Sequence, residues 1–176
     1  GDYRNRYQWS ARMSATTFTN VIAAANELAR VLRKSSSSVA VSESAAGGLI
    51  SAALVAIPGA SDFYKGGMIV YTSSGRDVLF GVDPSPKNLR GATEEFAKVQ
   101  AVRAKHLYQA DWGIGETGAT GPLGNPYGDP PGFGWVACSG AAEASFRLST
   151  GIEERESNMY TFAIAALELT VQTIKA

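Results

Sequence analysis

A serine hydroxyl on a tight turn between a buried strand and a helix can either attack an acyl carbon or cap the helix, and Ser44 occupies such a turn. The β-branched Val39 and Val41 lead into Ser42-Glu43-Ser44, two alanines, Gly47-Gly48 and the amphipathic run 49–54. That order reads as strand, turn, helix. Open α/β sheets place ligands at the carboxyl ends of their strands, where free backbone N–H groups and the helix dipole favour an anion. Gly47 and Gly48 carry no side chain, so a ligand or a second backbone can come close there. A second stretch with chemical potential is 116–131, ETGATGPLGNPYGDPP. Its glycines and prolines exclude helix and central strand, and its N–H groups could form an anion-holding nest or simply an Ω-loop. His106 sits among Arg103, Lys105 and Tyr108 on a helical pattern and reads as a solvated histidine. Cys138 lies in an apolar run and reads as a small buried hydrophobe.

The elements that must position these groups alternate. A helix begins at Thr17, with Phe18, Val21, Ile22, Ala25, Leu28, Ala29 and Leu32 at helical spacing. A strand over 39–41 and a helix over 49–57 follow, the latter ended by Pro58-Gly59. A strand is expected over 65–71, a turn over 72–75 and a short helix over 76–80, then a rigid Asp83-Pro84-Ser85-Pro86 loop. Thr93 caps a long helix with Glu94 and Glu95 in its first turn and Phe96, Val99, Val102, Ala104, Leu107 and Tyr108 facing inward. Short strands over 112–115, 133–138 and 144–148 precede a final helix opened by Glu153-Glu154-Arg155, whose apolar stripe could partly face another subunit. This alternation predicts an α/β fold, a three-layer α/β/α sandwich on a mixed central sheet.

A chain of 176 residues with 45% hydrophobic content is expected to form one domain, 17–176, preceded by an irregular extension over 1–16. The arginine-rich, acid-poor start resembles a leader, an extension or the trimmed end of an organelle transit peptide. Sixteen basic and sixteen acidic residues give no field of one sign, which argues against nucleic acid or a membrane surface. One cysteine and one histidine exclude an intramolecular disulfide and a His/Cys zinc site. They suit an intracellular, reducing compartment, cytoplasm or organelle matrix. No apolar run is long enough for a transmembrane helix, and no G-x-G-x-x-G follows a strand.

Four pieces, in order, resemble the C-terminal domain of the CinA competence/damage-inducible proteins, the nicotinamide mononucleotide deamidase module. They are Ser42-Glu43-Ser44 with Gly47-Gly48; Ile57-Pro58-Gly59-Ala60-Ser61; Gly66-Gly67 with Val70-Tyr71 before Leu79-Phe80-Gly81-Val82; and Thr117-Gly118-Ala119-Thr120-Gly121-Pro122. The resemblance implies a usually oligomeric α/β/α sandwich that hydrolyses the carboxamide of nicotinamide mononucleotide without metal or cofactor, releasing ammonia. It assigns Ser44 as nucleophile, Tyr71, Thr117 and Arg76 to the catalytic set, and Gly47, Gly48, Gly118, Gly121 and Arg155 to substrate binding. The implied partners are a pyridine nucleotide and either further copies of the chain or a larger complex.

Three positions depart from that family's pattern. Where Ser-Asn-Glu-Ala-Lys usually follows the tyrosine, this chain has Thr72-Ser73-Ser74-Gly75-Arg76, so the lysine thought to activate the serine is Arg76. The usual Cys-Thr-Gly-Gly is Ala45-Ala46-Gly47-Gly48, and a second arginine one turn past Arg155 is Met159. A guanidinium stays charged and cannot take the serine's proton, although its fork suits phosphate. Lys65 is about 20 Å from Tyr71 along an extended strand. Tyr71, Glu43 and Glu116 remain as candidate bases, and a glutamate could instead activate water directly. These substitutions predict nucleotide binding that outlives hydrolysis, or a binding or structural subunit of a larger assembly.

Overall fold

The computed structural model describes residues 17–80 and 89–176, and for Leu79 and Phe80 the backbone only. The expected extension over 1–16, the Gly81-Val82 piece and the Asp83–Pro86 loop lie outside the described residues. Among the described residues, five helices and five strands run in the order α1 (Phe18–Lys34), β1 (Val39–Glu43), α2 (Leu49–Val55), β2 (Tyr64–Ile69), α3 (Ser73–Phe80), α4 (Glu94–Leu107), β3 (Trp112–Ala119), β4 (Phe133–Ser139), β5 (Glu143–Ser149) and α5 (Arg155–Lys175). A 3₁₀ turn, Ala60–Asp62, precedes β2.

The sheet order is β2-β1-β3-β4-β5. β1 pairs in parallel with β2 and β3, whereas β3-β4 and β4-β5 are antiparallel, so the sheet is mixed as expected. The main core packs α1, α2 and α5 on one face through Val21, Leu28, Leu32, Ile50, Phe162, Ile164 and Leu167. On the opposite face α4 lies against β3 and β4, with Ala97 and Ala101 touching Ala137. The fold is therefore the α/β/α sandwich read from the alternation of elements. α4 starts where its cap predicted: Thr93 Oγ1 accepts from the Phe96 N–H at 3.2 Å. No helix among the described residues is long and apolar enough to cross a membrane.

Two expectations are corrected. The stretch from Glu116 does not begin as loop, because β3 continues through Ala119 in the middle of the sheet. Its glycines exist for packing rather than for turning: a Cβ on Gly113 would sit 1.8 Å from the Ala101 carbonyl oxygen, and one on Gly115 2.0 Å from that of Ala97. Helix and strand backbones thus approach closely, which only glycine permits. For the same reason the inward face of α4 is Phe96, Ala97, Gln100, Ala101 and Ala104, while Leu107 is exposed. Large residues at the contact would hold α4 away from the glycines.

Candidate active site

β1 lies between two parallel neighbours: α2 leads from it to β2, and the chain then crosses back through α3 and α4 to β3 on its other side. The carboxyl end of such a strand is the expected place for a ligand crevice. Ser44 stands there, half-buried, and Ser42 opposite Gly115 brings Glu43, at the end of β1, beside Glu116 within β3. Glu43 Oε1 accepts from the Gly48 and Ile50 N–H groups at 3.2 and 2.9 Å, and its Oε2 from Ser51 N–H at 2.9 Å. Glu116 Oε1 accepts from the Ser44 and Ala46 N–H groups, both at 2.9 Å. The amides of Gly47 and Leu49 donate to the Ser44 and Ala46 carbonyls. The expected free amides of this turn are therefore taken by the protein's own carboxylates and carbonyls. Glu43 serves as the cap of α2 in place of the serine, a long-range form of the usual N-cap.

Both carboxyls are buried. Burial raises the Glu43 carboxyl above its ordinary range, against the pull of the Ser51, Ile50 and Gly48 amides. Glu116 is pushed up to about 8, first by burial and further by the neighbouring Glu43, while the Ala46 and Ser44 amides act against the shift. One Glu116 oxygen, Oε2, is buried without a hydrogen-bond partner.

Thr117 points to the opposite face of the sheet from Glu116, since side chains alternate along a strand. Its Oγ1 accepts from the Ala92 N–H at 2.9 Å, and the side chain is buried. Arg76 reaches the same place. A Cβ on Gly91 would be 3.5 Å from an Arg76 terminal nitrogen and 4.0 Å from Thr117 Oγ1. The guanidinium donates to the Leu89 carbonyl, lies 4.3 Å from the Phe96 ring centroid, and has a buried Nε without a partner. Replacing Thr117 by valine is expected to orphan the buried Ala92 amide and cost about 1–3 kcal/mol in urea denaturation, with the fold kept.

The start of α5 gathers the remaining segments. Arg155 donates to Tyr71 Oη at 2.7 Å and to the Gly121 carbonyl at 2.6 Å. One turn on, Met159 Cε is 3.1 Å from where a Gly47 Cβ would stand. Between them Asn158, fully buried, donates to the Thr120 and Ile152 carbonyls and accepts from Thr150 Oγ1. The structure thus brings Tyr71, Gly47, Gly121 and Arg155 around one helix terminus. Gly48 stands nearer β2, 3.1 Å from Ile69 at its Cβ position, and a Gly118 Cβ would meet Phe162 at 2.5 Å, so the latter glycine serves packing against α5. Lys65 is near the start of β2, at the far end of that strand from Tyr71. His106 is exposed and Cys138 is buried, its thiol raised to about 11 mainly by burial. Sequence reasoning misses Asn158; an asparagine just inside the last helix is the available signal. Among the described residues no group of three His, Cys, Asp or Glu is placed to hold a metal ion.

Comparison with known proteins matches residues 22–174 to the model of the CinA C-terminal domain. A CinA-like protein of Salinibacter ruber is 34% identical over 148 residues, 84% of this chain and 36% of that protein. One from Acidobacterium capsulatum is 38% identical over 121 residues, 67% of this chain and 29% of that protein. The chain spans about a third of the length of these curated relatives. Among solved structures, a competence-damaged protein (CinA) superfamily protein from Enterobacter cloacae superposes with a TM-score of 0.79 at 25% identity, over 88% of this chain and 92% of that one. Another from Escherichia coli gives 0.80 at 24% identity over 96% of each chain, a likeness of fold.

Proposed function

The chain belongs to the CinA C-terminal domain family, and from that premise we propose that it binds a pyridine mononucleotide beside Ser44 and hydrolyses the nucleotide's carboxamide only slowly. The observation that carries the reading is the meeting of Tyr71, Arg155, Gly121 and the Ser44 turn at one end of the sheet. In the full reaction the Ser44 oxygen bonds to the carboxamide carbon, ammonia leaves with a proton, and water then cleaves the ester to the nicotinate product and free serine. A base must take the serine's proton. Arg76 cannot, and it is fixed against Leu89 and Phe96, a geometry for holding charge rather than moving protons. Arg155, exposed on the outer side of the cluster, is the better placed cation for the nucleotide's phosphate. Glu43 is tied to three amides as a helix cap and is dropped as a base.

Calorimetry with nicotinamide and nicotinate mononucleotides is expected to show binding that weakens in Arg155→Ala. Ammonia release is expected to be slow in the wild type, absent in Ser44→Ala, and raised by about 10²-fold in Arg76→Lys, the usual worth of a positioned general base. No binding of either nucleotide would overturn the reading.

A further inference from the structure

We propose that Glu116 is a positioning residue for Ser44: through its hold on the Ser44 and Ala46 amides its ionisation state sets how readily the Ser44 hydroxyl reacts. This rests on reading Ser44 as the nucleophile, not on the identity of the substrate. One carboxyl oxygen bridges the amide of Ser44 itself and that of Ala46, each at 2.9 Å, across some seventy residues of sequence. The turn has no other side chain holding those two amides among the described residues. The second oxygen is buried and unpartnered, so neither protonation state is fully satisfied, and the balance between them is open to change. A neutral acid accepts from the two amides as an ordinary carbonyl does. An ionised carboxylate makes charge-assisted bonds of roughly twice the strength, which tighten the turn and fix the serine's backbone.

The groups around Glu116 come from β1, the turn that follows it and β4. From β1 comes Glu43, whose carboxyl accepts from the Gly48, Ile50 and Ser51 amides and is itself raised by burial. The turn contributes Ser44, Ala45 and Ala46, none ionisable in the working range, and the opposed β4 residue is Val136. Arg155 of α5 donates to Tyr71 and to the Gly121 carbonyl, not to Glu116. No cation among these is available to neutralise Glu116, so its charge changes near neutrality rather than far below it.

The test labels the whole chain with a fluorophosphonate probe, which forms an Oγ–P bond as fluoride leaves and the hydroxyl proton passes to water. Mass spectrometry locates the label and rates are taken from about pH 6 to 9, on either side of the Glu116 titration. Labelling of Ser44 in wild type, divided by that in Glu116→Gln, is expected to rise about tenfold or more with an inflection near pH 8. Glutamine keeps an oxygen for both amides but carries no charge, so its own profile should follow only the chemistry of the probe. Glu116→Asp, too short to bridge both amides, is expected to label slowly while retaining an inflection. A ratio independent of pH overturns the proposal, as does a wild type whose Ser44 is unlabelled throughout. Should Glu116→Gln fail to fold, a wild-type profile identical in shape to that of solvent-exposed serines overturns it, and an added inflection near 8 supports it. If Ser44 labels with the Glu116-dependent profile but neither mononucleotide binds, the substrate reading fails and the positioning role stands.

Discussion

Gly115→Ala is expected to abolish the native fold, giving insoluble protein or a far-ultraviolet spectrum without cooperative urea unfolding. The added Cβ would lie 2.0 Å from the Ala97 carbonyl oxygen, 2.8 Å from the Ala101 nitrogen and 3.0 Å from the Ala97 carbonyl carbon. All three are backbone atoms in the middle of α4, so no side chain can rotate away. Relief requires α4 to move off the sheet by about 1 Å or more, and α4 is the element that carries Gln100 to Ser42 and presents Phe96 to Arg76. Ordinary overpacking costs about 1–3 kcal/mol where side chains can adjust, and this contact offers no such adjustment. A loss above about 4 kcal/mol is a large share of a total stability of about 5–15 kcal/mol. Gly113→Ala, with its Cβ 1.8 Å from the Ala101 carbonyl oxygen, should behave alike. Gly75→Ala is the control: its nearest neighbour is the Thr72 hydroxyl at 3.3 Å, it lies within α3, and alanine favours helix by about 1 kcal/mol. Folded, urea-resistant Gly115→Ala protein would show that α4 is not held to β3 by this backbone contact.

The same glycines mark the limit of what local sequence signals carry. Those signals suffice for two helix ends: Thr93 with Glu94 and Glu95, and the arginine and lysine closing α1, lie where their chemistry places them, whereas α2 stops at Val55 before Pro58-Gly59 and α3 starts at Ser73 within the expected turn. The strand-turn-helix at Ser44 is legible because Val39 and Val41 precede small residues and an amphipathic run, all in one short stretch. β3 reads too short because Gly118 and the glycines and prolines after it look like breakers until Phe162 of α5, which packs on Gly118, is in place. What binds the turn is invisible for a related reason. Which carboxylate takes the Ser44 amide depends on β1 and β3 being neighbours, a pairing across some seventy residues that no periodicity announces. The sequence shows Glu116 as a titratable residue near a glycine-rich stretch, but its partners and its burial follow only from the topology. Likewise the Tyr71–Arg155 bond joins residues 84 apart, and nothing local to either predicts it.

Glu116 also governs how stability depends on pH. In the folded chain its carboxyl holds a proton up to about 8, whereas in the unfolded chain it returns to its ordinary value of 4.5. Between those values the native state binds the extra proton, so unfolding releases one and stability must fall as pH rises. The contribution is present in full below about 4.5, is lost progressively through the interval, and is gone above about 8. Glu43, raised in the same direction by burial, adds to the slope with the same sign. In urea, wild type is therefore expected to be less stable at about pH 8.5 than at about pH 5.5 by a few kcal/mol, since a tenfold difference in proton affinity between folded and unfolded chains is worth about 1.4 kcal/mol. Glu116→Gln should match wild type at the lower pH, where the acid is neutral and glutamine reproduces its acceptor oxygen. At the higher pH the variant should be the more stable of the two, because glutamine places no charge beside Glu43 in a buried site. Stability of wild type that rises over this interval, or a glutamine variant with an unchanged slope, would mean that Glu116 enters the fold ionised. The turn would then owe its hold on Ser44 to a permanent charge rather than a titrating one.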